Sequence, residues 1–111
     1  MKIEYEISIC TLIEKIENNY GMYVGGKTLT GLSHFLDGYR YRFYEEDQYL
    51  FLFQIEFQSY VEAKYQLQSG CAWSSIILKD LQEDCAFDAF FCLFKQFLKE
   101  TAYGRMINKH R

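Results

Sequence analysis

The chain has no proline, one tryptophan and only two histidines, and each shortage removes a class of structure or chemistry. Without proline, no position carries the residue that most strongly breaks a helix, so glycines and polar residues must end the helices. The cysteines form no Cys-x-x-Cys pair, and neither histidine lies near a cysteine in sequence, so no zinc-binding spacing is present. No apolar run reaches the ~18 residues that a membrane helix needs. We therefore expect no membrane span, no metal and no cofactor.

The N-terminal segment and the cysteines both favour the cytoplasm. The run Ile7–Ile13 is short, interrupted by polar residues and without a small-residue cleavage site, so we expect no signal peptide. Cys85 and Cys92 lie seven residues apart, which places them two turns apart on one helical face, ~10 Å from each other and too far for a disulfide. We expect both side chains to be buried, where they would act as small apolar residues. We interpret all the cysteines as reduced thiols: Cys10, Cys71, Cys85 and Cys92.

The composition predicts a packed protein, and because the sequence shows no catalytic constellation we expect no enzymatic activity. Half of the 111 residues are hydrophobic and 19% are aromatic, whereas disordered chains are poor in both. With no linker or repeat, residues 1–111 should form one domain. The aromatic residues fit either a rich core or a binding surface, and we favour the core. The net charge of −3 argues against nucleic acid as a partner and suits a basic protein.

Apolar periodicity predicts an all-α bundle of about five helices. We expect helices from residue 7 to 20, from an N-cap at Thr28 to about 43, from 45 to the turn at Ser69-Gly70, from 73 to 81, and from 83 to Gly104. Residues 3–9 alternate as a short strand does, and we favour helix only from about residue 7 onward. Residues 49–58 also alternate, but the run 45–69 has no glycine or proline and is too long for a strand, so we favour helix there. The tail 105–111 should be frayed. The predicted core comprises Phe87, Phe90, Phe91, Phe94, Leu32, Phe35, Phe53 and Phe57.

One segment matches a nucleotide-binding pattern without its expected context. Residues 21–28 satisfy G-x-x-x-x-G-K-[ST], in which Lys27 would pair with phosphates and Thr28 would hold magnesium. That motif follows a buried strand, whereas residues 13–20 are amphipathic and charged, so we favour a glycine turn leading into a helix. His34 has no partner placed by sequence for acid–base chemistry, and we expect it at the edge of the core. Arg40 and Arg42 lie among aromatic residues, but two basic residues are few for a nucleic-acid site.

The acidic residues are the candidate partner-binding residues. They form two clusters: Glu45, Glu46 and Asp47, and then Asp80, Glu83, Asp84 and Asp88. Each cluster suits a helix N-terminus, where negative charge is stabilising, and this structural interpretation is the favoured one. Each could also face a basic partner and steer its approach.

Three stretches resemble small bacterial immunity proteins, the antidotes paired with polymorphic toxins such as those of contact-dependent growth inhibition. The stretches are Gly21–Tyr39, Trp73–Leu78 and Ala86–Phe94, and the resemblance spans residues 9–100 as a pattern of aromatics and glycines. It implies a cytoplasmic inhibitor that binds a cognate toxin domain, often a basic nuclease such as an RNase, and blocks its active site or an exosite. The alternative is a regulatory or scaffolding module that self-associates into a homodimer.

Overall fold

The protein is all-α, as the sequence predicted. The computed structural model describes residues 1–67 and 70–111, and within these ranges it contains no strand. The predicted turn at Ser69-Gly70 lies partly outside the described residues. The described helices are α1 (Ile3–Asn18), α2 (Tyr20–Tyr23), α3 (Leu29–Asp47), α4 (Leu52–Tyr65), α5 (Trp73–Leu78), α6 (Glu83–Glu100) and α7 (Ala102–His110). They number seven rather than about five, because α2 and α7 were not predicted.

The first helix begins earlier than predicted. It starts at Ile3 rather than near residue 7, and residues 3–9 are helical rather than a short strand. Its buried residues fall at helical spacing: Glu6, Ile9, Cys10, Ile13 and Ile16. The residues Ile3, Tyr5 and Ile7, which suggested alternation, are only partly buried. The buried face includes the carboxylate of Glu6 in the first turn, so a search for apolar residues alone does not detect this part of the helix.

Aromatic residues of α4, α5 and α6 form the centre of the core. Phe57 packs edge-to-face on Phe97 with ring centroids 5.2 Å apart, and Trp73 stacks on Phe90 at 5.1 Å. Each fully buried phenylalanine contributes ~1.5–3 kcal/mol relative to an exposed one. Of the predicted core residues, only Phe35 is half-buried, and the others are fully buried. The same apolar stripe that predicted α6 from sequence is therefore the main packing surface.

The boundary between α3 and α4 differs from the prediction. Helix α3 continues through Asp47 and ends at Gln48, whose φ of 55° is left-handed, and α4 begins only at Leu52. The acids Glu45, Glu46 and Asp47 therefore lie at the C-terminal end of a helix, and their predicted placement at an N-terminus is wrong. The ambiguity over residues 49–58 resolves as a short connection followed by helix.

The predicted frayed tail is helical instead. Thr101 ends α6 and caps α7, its hydroxyl accepting a hydrogen bond from the N–H of Gly104 at 3.1 Å. Tyr103 and Ile107 are buried, so this helix contributes to the core. A Cβ at Gly104 would lie 1.9 Å from the carbonyl oxygen of Leu98. Gly104 thus permits a close helix–helix contact and does not terminate a helix.

Two further expectations about single residues are wrong. Cys85 and Cys92 are exposed on α6, whereas the sequence predicted a small buried pair, because the stripe of phenylalanines already fills the buried face. His34 is exposed on α3 rather than at the edge of the core.

Within residues 1–67 and 70–111, no helix is both long and apolar enough to cross a bilayer.

Candidate protein interface

The structure separates the two acidic clusters. Glu83 lies beside the first turn of α3, where its carboxylate accepts a hydrogen bond from the N–H of Thr30 at 2.9 Å. Asp47 lies at the opposite end of the same helix. At 1.5 Å per residue, α3 rises ~25 Å between Thr30 and Asp47. The two clusters therefore form two distant surfaces, and a small contact cannot use both.

Residues of the second cluster have roles within the fold. As predicted, Glu83 and Asp84 occupy the first turn of α6. The hydrogen bonds that Glu83 accepts from the hydroxyl and the N–H of Thr30 lower its pKa. Asp88 pairs with Lys27 at 2.9 Å, and this hydrogen bond raises the lysine's pKa. Asp80 is exposed. These contacts join α6 to the start of α3 and give the cluster a structural explanation.

The same contacts account for the nucleotide-like motif. Lys27 is held by Asp88, and the hydroxyl of Thr28 accepts a hydrogen bond from the N–H of Gly31 at 3.1 Å, as an N-cap. The segment before the motif is helical, the motif itself begins inside α2, and Gly25 supplies a turn with φ of 88°. The geometry is that of a glycine turn leading into a helix, without the preceding strand that a phosphate-binding loop needs.

The first cluster lies at a helix end where acids are disfavoured, although two of its three acids have partners. The last turn of α3 carries no basic residue, although cations are what a helix C-terminus favours. Each acid there is disfavoured by ~0.3–1 kcal/mol. Asp47 accepts a hydrogen bond from the Tyr5 hydroxyl and Glu46 pairs loosely with Arg42 at 3.4 Å. Glu45 is exposed and makes no ion pair within the described residues.

Exposed apolar and aromatic side chains surround this end of α3. Tyr41 is 63% exposed, Tyr44 50% and Leu50 72%. They line an open groove of about 360 Å³ between the last turns of α3 and the connection to α4. We call this surface the α3–α4 corner. It comprises the residues that line the groove and the exposed Glu45 that follows Tyr44: Asp37, Arg40, Tyr41, Tyr44, Glu45, Tyr49, Leu50 and Phe51. Tyrosine beside uncompensated charge is typical of protein interfaces.

Sequence reasoning missed the aromatic part of this corner. Tyr41 and Tyr44 lie outside the apolar stripe that predicted α3. Their position outside the stripe was the available sign that they would be exposed. The composition favours an aromatic core, whereas Tyr41 and Tyr44 are exposed. The helix predicted over residues 45–69 placed Leu50 on its apolar stripe, and this placement is wrong, because Leu50 lies exposed in the connection between α3 and α4.

A buried carboxylate fixes the floor of the corner. Glu6 is fully buried and accepts hydrogen bonds from the backbone N–H groups of Leu52 at 2.8 Å and Phe53 at 3.0 Å, which caps α4. It also accepts from the hydroxyls of Tyr49 and, at 2.7 Å, Tyr103. Burial, aided by the bond to Glu6, raises the pKa of Tyr49, so its hydroxyl stays a donor. The corner is thus held by a network that joins α1, α4 and α7.

Ring contacts add to this rigidity. Phe51 packs edge-to-face on Tyr49 at 5.0 Å and on Phe43 at 5.2 Å between ring centroids. Such contacts contribute ~0.5–1.5 kcal/mol each beyond area burial. A surface whose floor is ordered before binding loses little entropy on association.

In the part of the chain that the structure describes, no group of three or more His, Cys, Asp or Glu side chains is placed to hold a metal ion. No protein-family model, curated protein or solved structure matches the chain. What the protein binds must therefore be inferred from the chemistry of its surface.

Proposed function

We propose that this protein is an immunity protein that binds and neutralises a cognate bacterial toxin domain in the cytoplasm. The observation that carries the proposal is the cluster of acids at the C-terminal end of α3, beside exposed tyrosines. Acids in that position cost stability in the isolated protein, and a basic partner would offset the cost.

A nuclease, such as an RNase, is the toxin class that fits this surface. Enzymes that bind a polyphosphate backbone present lysines and arginines around their active sites. An acidic protein that covers such a site both steers the encounter and excludes the substrate. The resemblance to immunity proteins in glycine and aromatic pattern points in the same direction.

Self-association is the competing proposal, and the exposed residues Tyr41, Tyr44 and Leu50 are the observation in its favour. A symmetric contact would place the same acid-rich corner on both sides, and like charges would oppose it. Sedimentation equilibrium at micromolar concentrations distinguishes the two: a dimer that forms without a partner would favour self-association.

The test is direct binding to the C-terminal domain encoded immediately upstream of this protein's gene. Isothermal titration should give a nanomolar or tighter Kd, equivalent to about −12 kcal/mol or stronger. Co-expression should also restore growth to cells that produce the domain. If the purified proteins show no interaction and co-expression protects nothing, the immunity proposal is wrong.

A further inference from the structure

We infer that the α3–α4 corner is a receptor for an arginine side chain that a basic partner presents beside an apolar residue. This inference deepens the proposed function, on which the identity of the partner rests, by naming what the toxin must insert.

The first step is the charge balance of the corner. Arg40 is paired with Asp37, and Arg42 is paired with Glu46, so these four charges cancel. Glu45 and Asp47 have no lysine or arginine salt bridge within the described residues. Lys2 lies over the ring of Tyr5, the residue that donates a hydrogen bond to Asp47, with its Nζ 4.9 Å from the ring centroid.

The C-terminal carbonyl groups of α3 add to this negative charge. They carry the partial negative charge of the helix dipole, and no basic residue in the last turn offsets it. The corner therefore favours a cation, and it disfavours a second copy of itself.

The second step is the shape and chemistry of the groove. Its volume of about 360 Å³ accepts a long side chain, with Tyr41, Tyr44 and Leu50 exposed along its walls. Arginine matches these walls better than lysine, because its planar guanidinium stacks on aromatic rings while its stem packs on apolar surface.

A carboxylate is available for the guanidinium head. Asp37 is already engaged by Arg40, so it is not that carboxylate. Glu45 is exposed, makes no ion pair within the described residues and lies four residues after Tyr41, which makes the two side chains neighbours on the surface of α3. Asp88 and Glu83, by contrast, are already engaged by Lys27 and Thr30, which makes the second acidic cluster the poorer receptor.

The test uses the full-length ¹⁵N-labelled protein and three capped peptides: Leu-Arg-Leu, Leu-Lys-Leu and Leu-citrulline-Leu. Citrulline keeps the shape of arginine without its charge. We expect saturable amide shifts centred on residues 37–51 with the arginine peptide. Binding should be ~3-fold weaker for lysine and at least ~10-fold weaker for citrulline, because charge and stacking both contribute. Equal binding of arginine and citrulline, or shifts centred on residues 80–88, would overturn the inference.

Variants then locate the contact. Tyr44→Ala and Leu50→Ser should each weaken the arginine peptide at least ~5-fold, whereas Ile55→Ser, which alters another exposed apolar residue on α4, should not. Against the upstream-encoded domain, the double variant Tyr41→Ala/Tyr44→Ala should lose ~100-fold in affinity. If the wild type binds this domain tightly and the double variant binds it equally tightly, the α3–α4 corner is not the interface, but the immunity proposal stands. Peptide binding in the groove without toxin binding would refute immunity and keep the arginine receptor.

Discussion

Replacing Glu6 by glutamine should destabilise the protein more than any other neutralisation of an acid. Oε1 accepts from Phe53 N–H and the Tyr103 hydroxyl, and Oε2 accepts from Leu52 N–H and the Tyr49 hydroxyl. In Glu6→Gln, whichever oxygen becomes the amide nitrogen faces one backbone N–H and one hydroxyl. The hydroxyl can rotate to accept a hydrogen bond, but the backbone N–H is left without an acceptor.

The magnitude follows from these contacts. The orphaned N–H costs ~1–3 kcal/mol, and the two bonds that remain lose the charge assistance worth ~1 kcal/mol each. Removing a buried charge returns part of this, because its desolvation is relieved. We expect a net loss of about 2–4 kcal/mol, which is a large share of the ~5–15 kcal/mol that stabilises a typical domain. The melting temperature should fall by at least ~8 °C.

Urea unfolding measures this loss when it is monitored by the fluorescence of Trp73, which is the only tryptophan and is 4% exposed. Glu14→Gln is the matched control on the same helix, since Glu14 pairs with Arg111 at 2.6 Å in a half-exposed position. It should cost at most ~1 kcal/mol. If the two variants differ by less than ~0.5 kcal/mol, Glu6 does not hold the corner together as inferred.

Two further perturbations test the packing of α7 and of Cys10. Gly104→Ala should cost at least ~2 kcal/mol in urea unfolding, because its Cβ would lie 1.9 Å from the Leu98 carbonyl oxygen, whereas Gly38→Ala, with nothing within 4 Å, should gain ~0.5–1 kcal/mol. Equal effects would contradict this packing. Burial raises the pKa of Cys10 to about 12, so the native thiol keeps its proton where the unfolded one, with a pKa of ~8.5, releases it. Stability should therefore fall between pH ~8.5 and ~12 by up to ~1.4 kcal/mol per pH unit, and less steeply in Cys10→Ala. Identical slopes would refute the assignment.

Helices whose signal is local could be predicted from the sequence. In α6 the apolar residues recur at helical spacing, and Phe87, Phe90 and Phe94 are all buried as that spacing indicates. Thr28 is the N-cap that its position before an apolar run predicted. These features depend on residues within one or two turns of each other.

Features set by distant residues could not be predicted. The end of α3 is a glutamine in a left-handed conformation, and the start of α4 is capped by a carboxylate 46 residues earlier in the chain. Neither has a signature near the boundary. Gly104 has the local appearance of a helix terminator, and only the approach of Leu98 reveals its role.

The acids of the candidate site could be predicted from the sequence, whereas their partners and the exposed tyrosines depend on the tertiary fold. Charge alone identified Glu45, but it equally selected Glu83 and Asp88, whose partners Thr30 and Lys27 are brought near by the tertiary fold. The exposed tyrosines could be recognised only once the buried face of α3 was known.

The Glu6 network also bears on the order in which the chain can fold during synthesis. Glu6 is made early, yet one of its four donors, Tyr103, lies 97 residues later. Until that residue emerges, closing α1 over α4 would bury a carboxylate with a missing donor, which is costly in an apolar interior. Contacts of such long range slow folding and make it cooperative. We expect the nascent chain to keep Glu6 hydrated and the α3–α4 corner unformed until translation is nearly complete, so that only finished molecules present the proposed binding surface.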